Sequence, residues 1–197
     1  DLIIQANMRD LARYALICQA EGLVPIVEPD ISLKGDHDLE TAVRVNVKVQ
    51  SELFKAMLDH GVYMEGAVLK SNIVNPGKAC KTKYTVDEIA VANLAVFRRC
   101  LPTAIVTANF LSGGQSLEDA SARLNAINKH KTAKDPWNLS FSWSAALQMP
   151  LFQLCKGKDG LQLEAMSELY LKELAIASAA ARGEHVPGAG EGDHAIA

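Results

Sequence analysis

Short β-branched runs alternate along this chain with longer stretches whose apolar residues recur at steps of three and four. That alternation constrains its fold more than any other feature. Residues 1–20 carry Ile4, Met8, Leu11, Ala15 and Cys18 on one helical stripe, ended by Gly22. Residues 23–28 (LVPIVE) have strand character, and 29–36 (PDISLKGD) is rich in turn formers. A second helix is predicted over 38–60, with Leu39, Val43, Val47, Phe54 and Met57 on one side and Gly61 behind it. Strand two, 62–70, runs into a loop, 71–85, that turns at Pro76 and Gly77.

Thr85 and Glu88 have the spacing of a capping box, which predicts a third helix over 86–99. Strand three, 104–110, leads into LSGGQ, and Ser116 caps a helix bearing Ala120, Leu124 and Ile127. Strand four is 137–143. Helices over 145–154 and 161–181 follow, separated by the hydrophilic 156–160, and the small, polar, Gly-rich 183–197 reads as a flexible tail.

Strands alternating with helices imply parallel βα units with right-handed crossovers, so the fold class is α/β. Four units make about half of an eight-stranded (β/α)₈ TIM barrel. The alternative is a small doubly wound sheet, but the Gly-rich phosphate loop expected after its first strand is absent. The half barrel, spanning 1–182, is the preferred architecture.

A formal net charge of −3 leaves no basic excess for a phosphate backbone or an anionic bilayer, so nucleic acid and membrane are poor partners. No run approaches the roughly 18 apolar residues of a membrane span. Cys18, Cys80, Cys100 and Cys155 form no C-x-x-C pair and read as reduced, buried thiols of a reducing compartment. The five histidines lack ligand spacing and read as surface residues, so no metal is expected. Arg98 and Arg99 read as a solvated helix end, and Trp137 and Trp143 as packing residues. A chain opening at Asp1 in a helical pattern is expected to lack its true N-terminus and any targeting segment.

In a parallel barrel the reactive side chains gather at the C-terminal strand ends. Glu28, Lys70 and Ser112 end the first three strands at a constant interval of 42 residues (70 − 28 and 112 − 70), and Ser142 lies near the end of the fourth. Alternation places Val24 and Ile26 on the face of Glu28, and Met64, Gly66 and Val68 on that of Lys70, so both ionisable groups stand over an apolar interior. Desolvation disfavours an ammonium, and the neutral amine it leaves can attack a ketone. Expelling the carbinolamine hydroxyl as water needs a nearby proton carrier, for which Glu28 is the candidate. Ser112, Gly113 and Gly114 before a capped helix suit a phosphate, although Ser-Gly-Gly alone is commonly a turn, a lysine at a strand end commonly a solvated edge charge and a glutamate before proline commonly a loop residue.

Six ordered segments carry a resemblance: GLVPIVEPD (22–30), GDHD (35–38), EGAVLKSN (65–72), FLSGGQS (110–116), LNAINK (124–129) and LSFS (139–142). Over about residues 2–182 the chain closely resembles class I fructose-bisphosphate aldolase. The resemblance implies metal- and cofactor-independent cleavage of fructose 1,6-bisphosphate to dihydroxyacetone phosphate and glyceraldehyde 3-phosphate, in glycolysis and gluconeogenesis. It assigns Lys70 as the imine-forming lysine, Glu28 as general acid/base and Asp30 as the neighbouring acid. It assigns Ser112, Gly113, Gly114, Ser142 and Ser144 to binding the phosphosugar. It also implies a homo-oligomer, usually a tetramer, in the cytoplasm or a plastid.

The chain departs from the family pattern where a phosphate-binding arginine is expected, at Ala145, and Lys156 or Lys158 is the candidate substitute. Lys70 is followed by Ser71 in place of proline, and the family's C-terminal tyrosine has no counterpart before Ala197. The family's first four strands, with an aspartate, further lysines and an arginine, have no counterpart here either, so the chain alone is expected to be inactive. The alternative readings are a catalytically impaired aldolase-like binding scaffold and a Schiff-base barrel acting on another phosphosugar.

Overall fold

The computed structural model describes residues 1–186. In chain order it contains α1 (Leu2–Ala20), β1 (Ile26–Val27), α2 (Leu39–Asp59), β2 (Val68–Asn72), α3 (Val86–Cys100), β3 (Thr107–Leu111), α4 (Leu117–His130), β4 (Asn138–Phe141), α5 (Ala145–Cys155) and α6 (Leu163–Ala181). The four strands form one sheet in sequence order, and every neighbouring pair is parallel. Consecutive helices α1 to α4 pack side by side, and α6 closes the row against α4. These are successive βα units of the kind a (β/α)₈ barrel repeats.

Local chemistry starts the helices. The Asp38 side chain accepts from Thr41 N at 2.8 Å at the head of α2. Thr85 and Glu88 form the reciprocal capping box of α3, and Ser116 Oγ accepts from Asp119 N at 3.0 Å to begin α4. On α2 the inward face is wider than the expected one. Of the expected residues Leu39, Phe54 and Met57 are buried, Val43 and Val47 only partly so, and Ala42, Asn46, Val49, Gln50 and Leu53 join the buried face. Two polar side chains lie on that buried face: Asn46 Nδ2 donates to the Ala42 carbonyl at 2.9 Å, and Gln50 Nε2 donates to Ser71 Oγ at 3.1 Å. Gln50 is thereby paired inside the core, whereas Asn46 Oδ1 is buried without a partner among the described residues.

The strands are shorter than expected. Residues 23–25 stay outside β1, although the Pro25 carbonyl accepts from Val68 N at 3.0 Å. Residues 64–66 form a 3₁₀ turn, so β2 starts at Val68 and continues two residues past Lys70. Val27, Leu69, Ala108 and Leu139 are fully buried on the helix-facing side, with Phe97 stacked on Phe110 at 5.5 Å between centroids. Burying each large side chain of this layer contributes about 2 kcal/mol.

Other expectations change as well. Arg98 is not a solvated helix end: Nε and Nη2 donate to the two oxygens of Asp135 at 2.7 and 2.6 Å, binding α3 to the segment before β4. The four cysteines are free but half-buried rather than fully enclosed. Burial pushes the Cys100 thiol up to about 12. Trp137 and Trp143 are buried, and Trp137 Nε1 donates to the Pro102 carbonyl at 3.0 Å. His185 is buried rather than at the surface, and its amide donates to Asn125 Oδ1 at 2.9 Å. The first residues assigned to the tail, 183–186, are thus held against α4, and 187–197 lie outside the described residues. Among the described residues no helix is long and apolar enough to cross a membrane.

Candidate active site

Lys70 is the middle residue of β2. Its neighbours Leu69 and Ser71 point to the helices and are fully buried, so strand alternation turns Lys70 to the opposite face. There its partner in register is Asn109 on β3, which pairs in turn with Ser140 on β4. Glu28 directly follows β1, and its Oε1 lies 3.1 Å from Lys70 Nζ. The lysine side chain is 20% exposed and the glutamate 42%. A pair this open contributes at most about 1 kcal/mol to stability. Its consequence is positional: an amine and a carboxyl stand within one proton transfer of each other.

The floor beneath them differs from the expected one. Ile26 is 47% exposed and Val24 66%, and Met64 and Gly66 belong to the 3₁₀ turn rather than to the strand. The constant interval of 42 residues is not a structural repeat either, because Lys70 pairs with Asn109 rather than with Ser112. Asn109 and Ser140 were missed in the sequence. Their signal was a polar residue at the inward position of an otherwise apolar strand, readable only once the register was known.

Beyond the strand ends lies a cleft of about 210 Å³ whose lining includes Asp30, Asn72, Lys78, Gly113 and Gln115. Asp30 is placed in this cleft rather than in an ion pair with Lys70, and its amide donates to the Glu28 carbonyl at 3.1 Å. Ser112 is buried, and its carbonyl accepts from both the amide and Nε2 of Gln115 at 2.9 Å. Gln115 Oε1 in turn accepts from Arg123 Nη1, and from Asn75 Nδ2 at 3.3 Å. Burial lowers the Arg123 guanidinium from its usual range. Gly113 and Gly114 take φ of +44° and +72°, which lets the chain turn sharply into α4.

Ser142 extends the pairing past β4 by donating its amide to the Phe110 carbonyl at 2.9 Å. Ser144 precedes α5 and donates its hydroxyl to Gln148 Oε1 at 3.0 Å. Ala145 is exposed at the first position of α5, whereas Lys156 follows the last. At 1.5 Å of rise per residue the two ends of α5 are about 16 Å apart. Lys156 and Lys158 are therefore badly placed to replace a charge at position 145. Among the described residues no cluster of His, Cys, Asp or Glu could hold a metal ion.

The family model for glycolytic class-I fructose-bisphosphate aldolase matches residues 1–196. The chain is 46% identical over 196 residues to fructose-bisphosphate aldolase C of Pan troglodytes, covering 100% of this chain and 53% of that relative. It is 46% identical over 185 residues to fructose-bisphosphate aldolase B of Homo sapiens, covering 94% of this chain and 50% of that relative. A solved structure of fructose-bisphosphate aldolase from Plasmodium falciparum, in complex with TRAP and a small-molecule inhibitor, superposes with a TM-score of 0.91 at 40% identity. It covers 95% of this chain and 53% of its own. The chain spans about half the length of the curated relatives it matches. On its sequence and its fold alike, the chain belongs to the class-I fructose-bisphosphate aldolase family.

Proposed function

We propose that the protein of which this chain forms part cleaves fructose 1,6-bisphosphate reversibly to dihydroxyacetone phosphate and glyceraldehyde 3-phosphate, through an imine on Lys70. The observation that carries this reading is the 3.1 Å separation of Lys70 Nζ and Glu28 Oε1 on one face of the sheet. As a free amine, Lys70 attacks the C2 ketone and forms a carbinolamine. Glu28 carries a proton to the departing hydroxyl, which leaves as water and produces the protonated imine. The C3–C4 bond then breaks as a base takes the C4 hydroxyl proton. The bonding pair moves toward the imine nitrogen, the aldehyde departs and an enamine remains. Protonation at C3 and hydrolysis release the ketose phosphate and regenerate the amine.

Glu28 supports the water-forming and water-adding steps by its proximity. Asp30, two residues on, supports a role at the substrate's polar end because it lines the cleft beyond the strand ends. Ser112, Gly113, Gly114, Ser142 and Ser144 surround the loops after β3 and β4, which suits them to the phosphosugar. A homo-oligomeric assembly is part of this reading and is checked by light scattering.

The test is borohydride reduction of the complete protein in the presence of fructose 1,6-bisphosphate, followed by peptide mass mapping. A stable adduct on Lys70, absent from Lys70→Met, is the expected result. An adduct on another lysine, or none, defeats the proposal.

A further inference from the structure

Two loops beyond the strand ends are joined through their backbones. Gly77 N donates to the His37 carbonyl at 2.8 Å, Lys78 N to the Leu33 carbonyl at 2.9 Å and Ala79 N to the Gly35 carbonyl at 2.9 Å. The approach is so close that a methyl group on Gly77 would lie 2.3 Å from the Gly35 carbonyl oxygen. Lys78 therefore projects from a fixed stretch of backbone. Its Nζ lies 2.8 Å from where a methyl group on Gly114 would stand, beside the Ser112–Gly114 turn. Among the described residues no carboxylate pairs with it.

A second observation points to a ligand in the same cleft. Asn72 is only 2% exposed, shares the face of Lys70, and has a buried Oδ1 with no hydrogen-bond partner. A buried carbonyl oxygen without a donor costs about 1–3 kcal/mol unless something supplies one. A sugar hydroxyl is a donor of the right kind. A phosphorylated polyol offers both complements, a hydroxyl for Asn72 and a phosphate for Lys78 and the backbone amides of the turn.

We propose that Lys78 is the phosphate-recognising cation of this protein, acting with Asn72 and the Ser112–Gly114 turn from the side of β2, and so supplying the charge that Ala145 does not. The inference rests on the aldolase reading given above, and it names the residue that determines affinity for the phosphorylated end. Asp30 lines the same cleft and disfavours a phosphate placed against it, which directs the anion toward Gly113 and Lys78.

The test uses the complete protein with Lys78→Ala, Lys78→Gln and Lys78→Arg, fructose 1,6-bisphosphate as substrate and inorganic phosphate as competitive inhibitor. Loss of one charge-assisted hydrogen bond to phosphate raises KM by about 10- to 100-fold and weakens phosphate inhibition in proportion. Uniform binding is what is lost, so kcat stays within about threefold. Lys78→Arg restores most of the affinity, while Lys156→Ala/Lys158→Ala leaves both constants unchanged.

Unchanged KM and phosphate inhibition in Lys78→Ala, with borohydride trapping at Lys70 intact, overturns this inference and leaves the aldolase reading standing. Absence of trapping in the unmodified protein overturns that reading itself. A raised KM that Lys78→Arg does not restore would assign Lys78 a structural role and also count against the proposal. Because Lys78 is exposed, its truncation is compatible with folding, and a thermal melt of each variant verifies that.

Discussion

Glu173 on α6 is 6% exposed, and its Oε2 has no hydrogen-bond partner. Burial raises this carboxyl from the ordinary 4.5 to about 7, against a small opposing pull from Lys172. The sign follows from linkage. A carboxyl harder to ionise in the folded chain costs nothing below pH 4.5, where it is protonated in both states. It costs progressively more as pH rises from 4.5 to about 7, and a constant amount above that. The gap between those two values is worth about 3 kcal/mol, and relaxation of the surroundings around the charge trims it to roughly 2.

Glu173→Met keeps the volume and removes the ionisation, so it should stabilise the protein by about 2 kcal/mol at pH 8 and by almost nothing at pH 4. Urea unfolding of both proteins at the two pH values measures the difference directly. Equal stabilisation at pH 4 and pH 8 would mean that packing rather than charge is responsible. A loss of stability at pH 8 would mean that the carboxylate has a partner. Either result refutes the reasoning.

Asp135→Ala removes the acceptor for two guanidinium and two Thr132 hydrogen bonds, and should cost about 2–4 kcal/mol in urea unfolding. Because Arg98 holds the Asp135 carboxyl at about 2, its contribution is complete above the ordinary carboxylate range and fades as pH falls through 2, which an acid titration of stability checks against Asp135→Asn. Gly77→Ala forces a methyl group against the Gly35 carbonyl and should lower stability by about 1–3 kcal/mol. It should weaken inhibition by inorganic phosphate at the same time, because the loop it displaces carries Lys78.

What sequence could tell was decided by how local each interaction is. The caps at Asp38, Thr85 and Ser116 act over three residues, so the helix starts were legible within a residue or two. Strand limits depend on register with a distant neighbour, and the extended pattern before Lys70 hid a 3₁₀ turn whose backbone is held by α1. Gln19 Nε2 donates to the Tyr63 carbonyl at 2.7 Å, and Tyr63 N donates to Gln19 Oε1 at 3.0 Å.

On α2 the expected Leu39, Phe54 and Met57 are buried, but the inward face also takes in Asn46 and Gln50, and the place of Gln50 depends on its tertiary partner Ser71. Arg98 looked solvated because Asp135 reaches it only through the fold. The approach of Lys70 to Glu28 was legible from the expected parallel pairing of neighbouring strands, although Lys70 lies in mid-strand rather than at a strand end and Glu28 beyond β1. Lys78 was not, since its place is set by the backbone contact between residues 33–37 and 77–79.

The surroundings of Lys70 bear on why a lysine stands there at all. Leu69 and Ser71 on either side are fully buried, and the register row holds Asn109 and Ser140 rather than a matching carboxylate. A leucine or valine at position 70 would satisfy strand propensity better, and the one ion pair the lysine makes is too exposed to repay the ordering of its long side chain. Local preference is thus set aside at Lys70 and in the polar row beside it, where an amine meets a carboxyl. Such conflicts concentrate where a fold serves chemistry rather than stability. Lys70→Leu should therefore leave the melting temperature unchanged or raise it slightly while abolishing the borohydride adduct proposed for Lys70; a marked loss of stability would show that the lysine is held there for the fold.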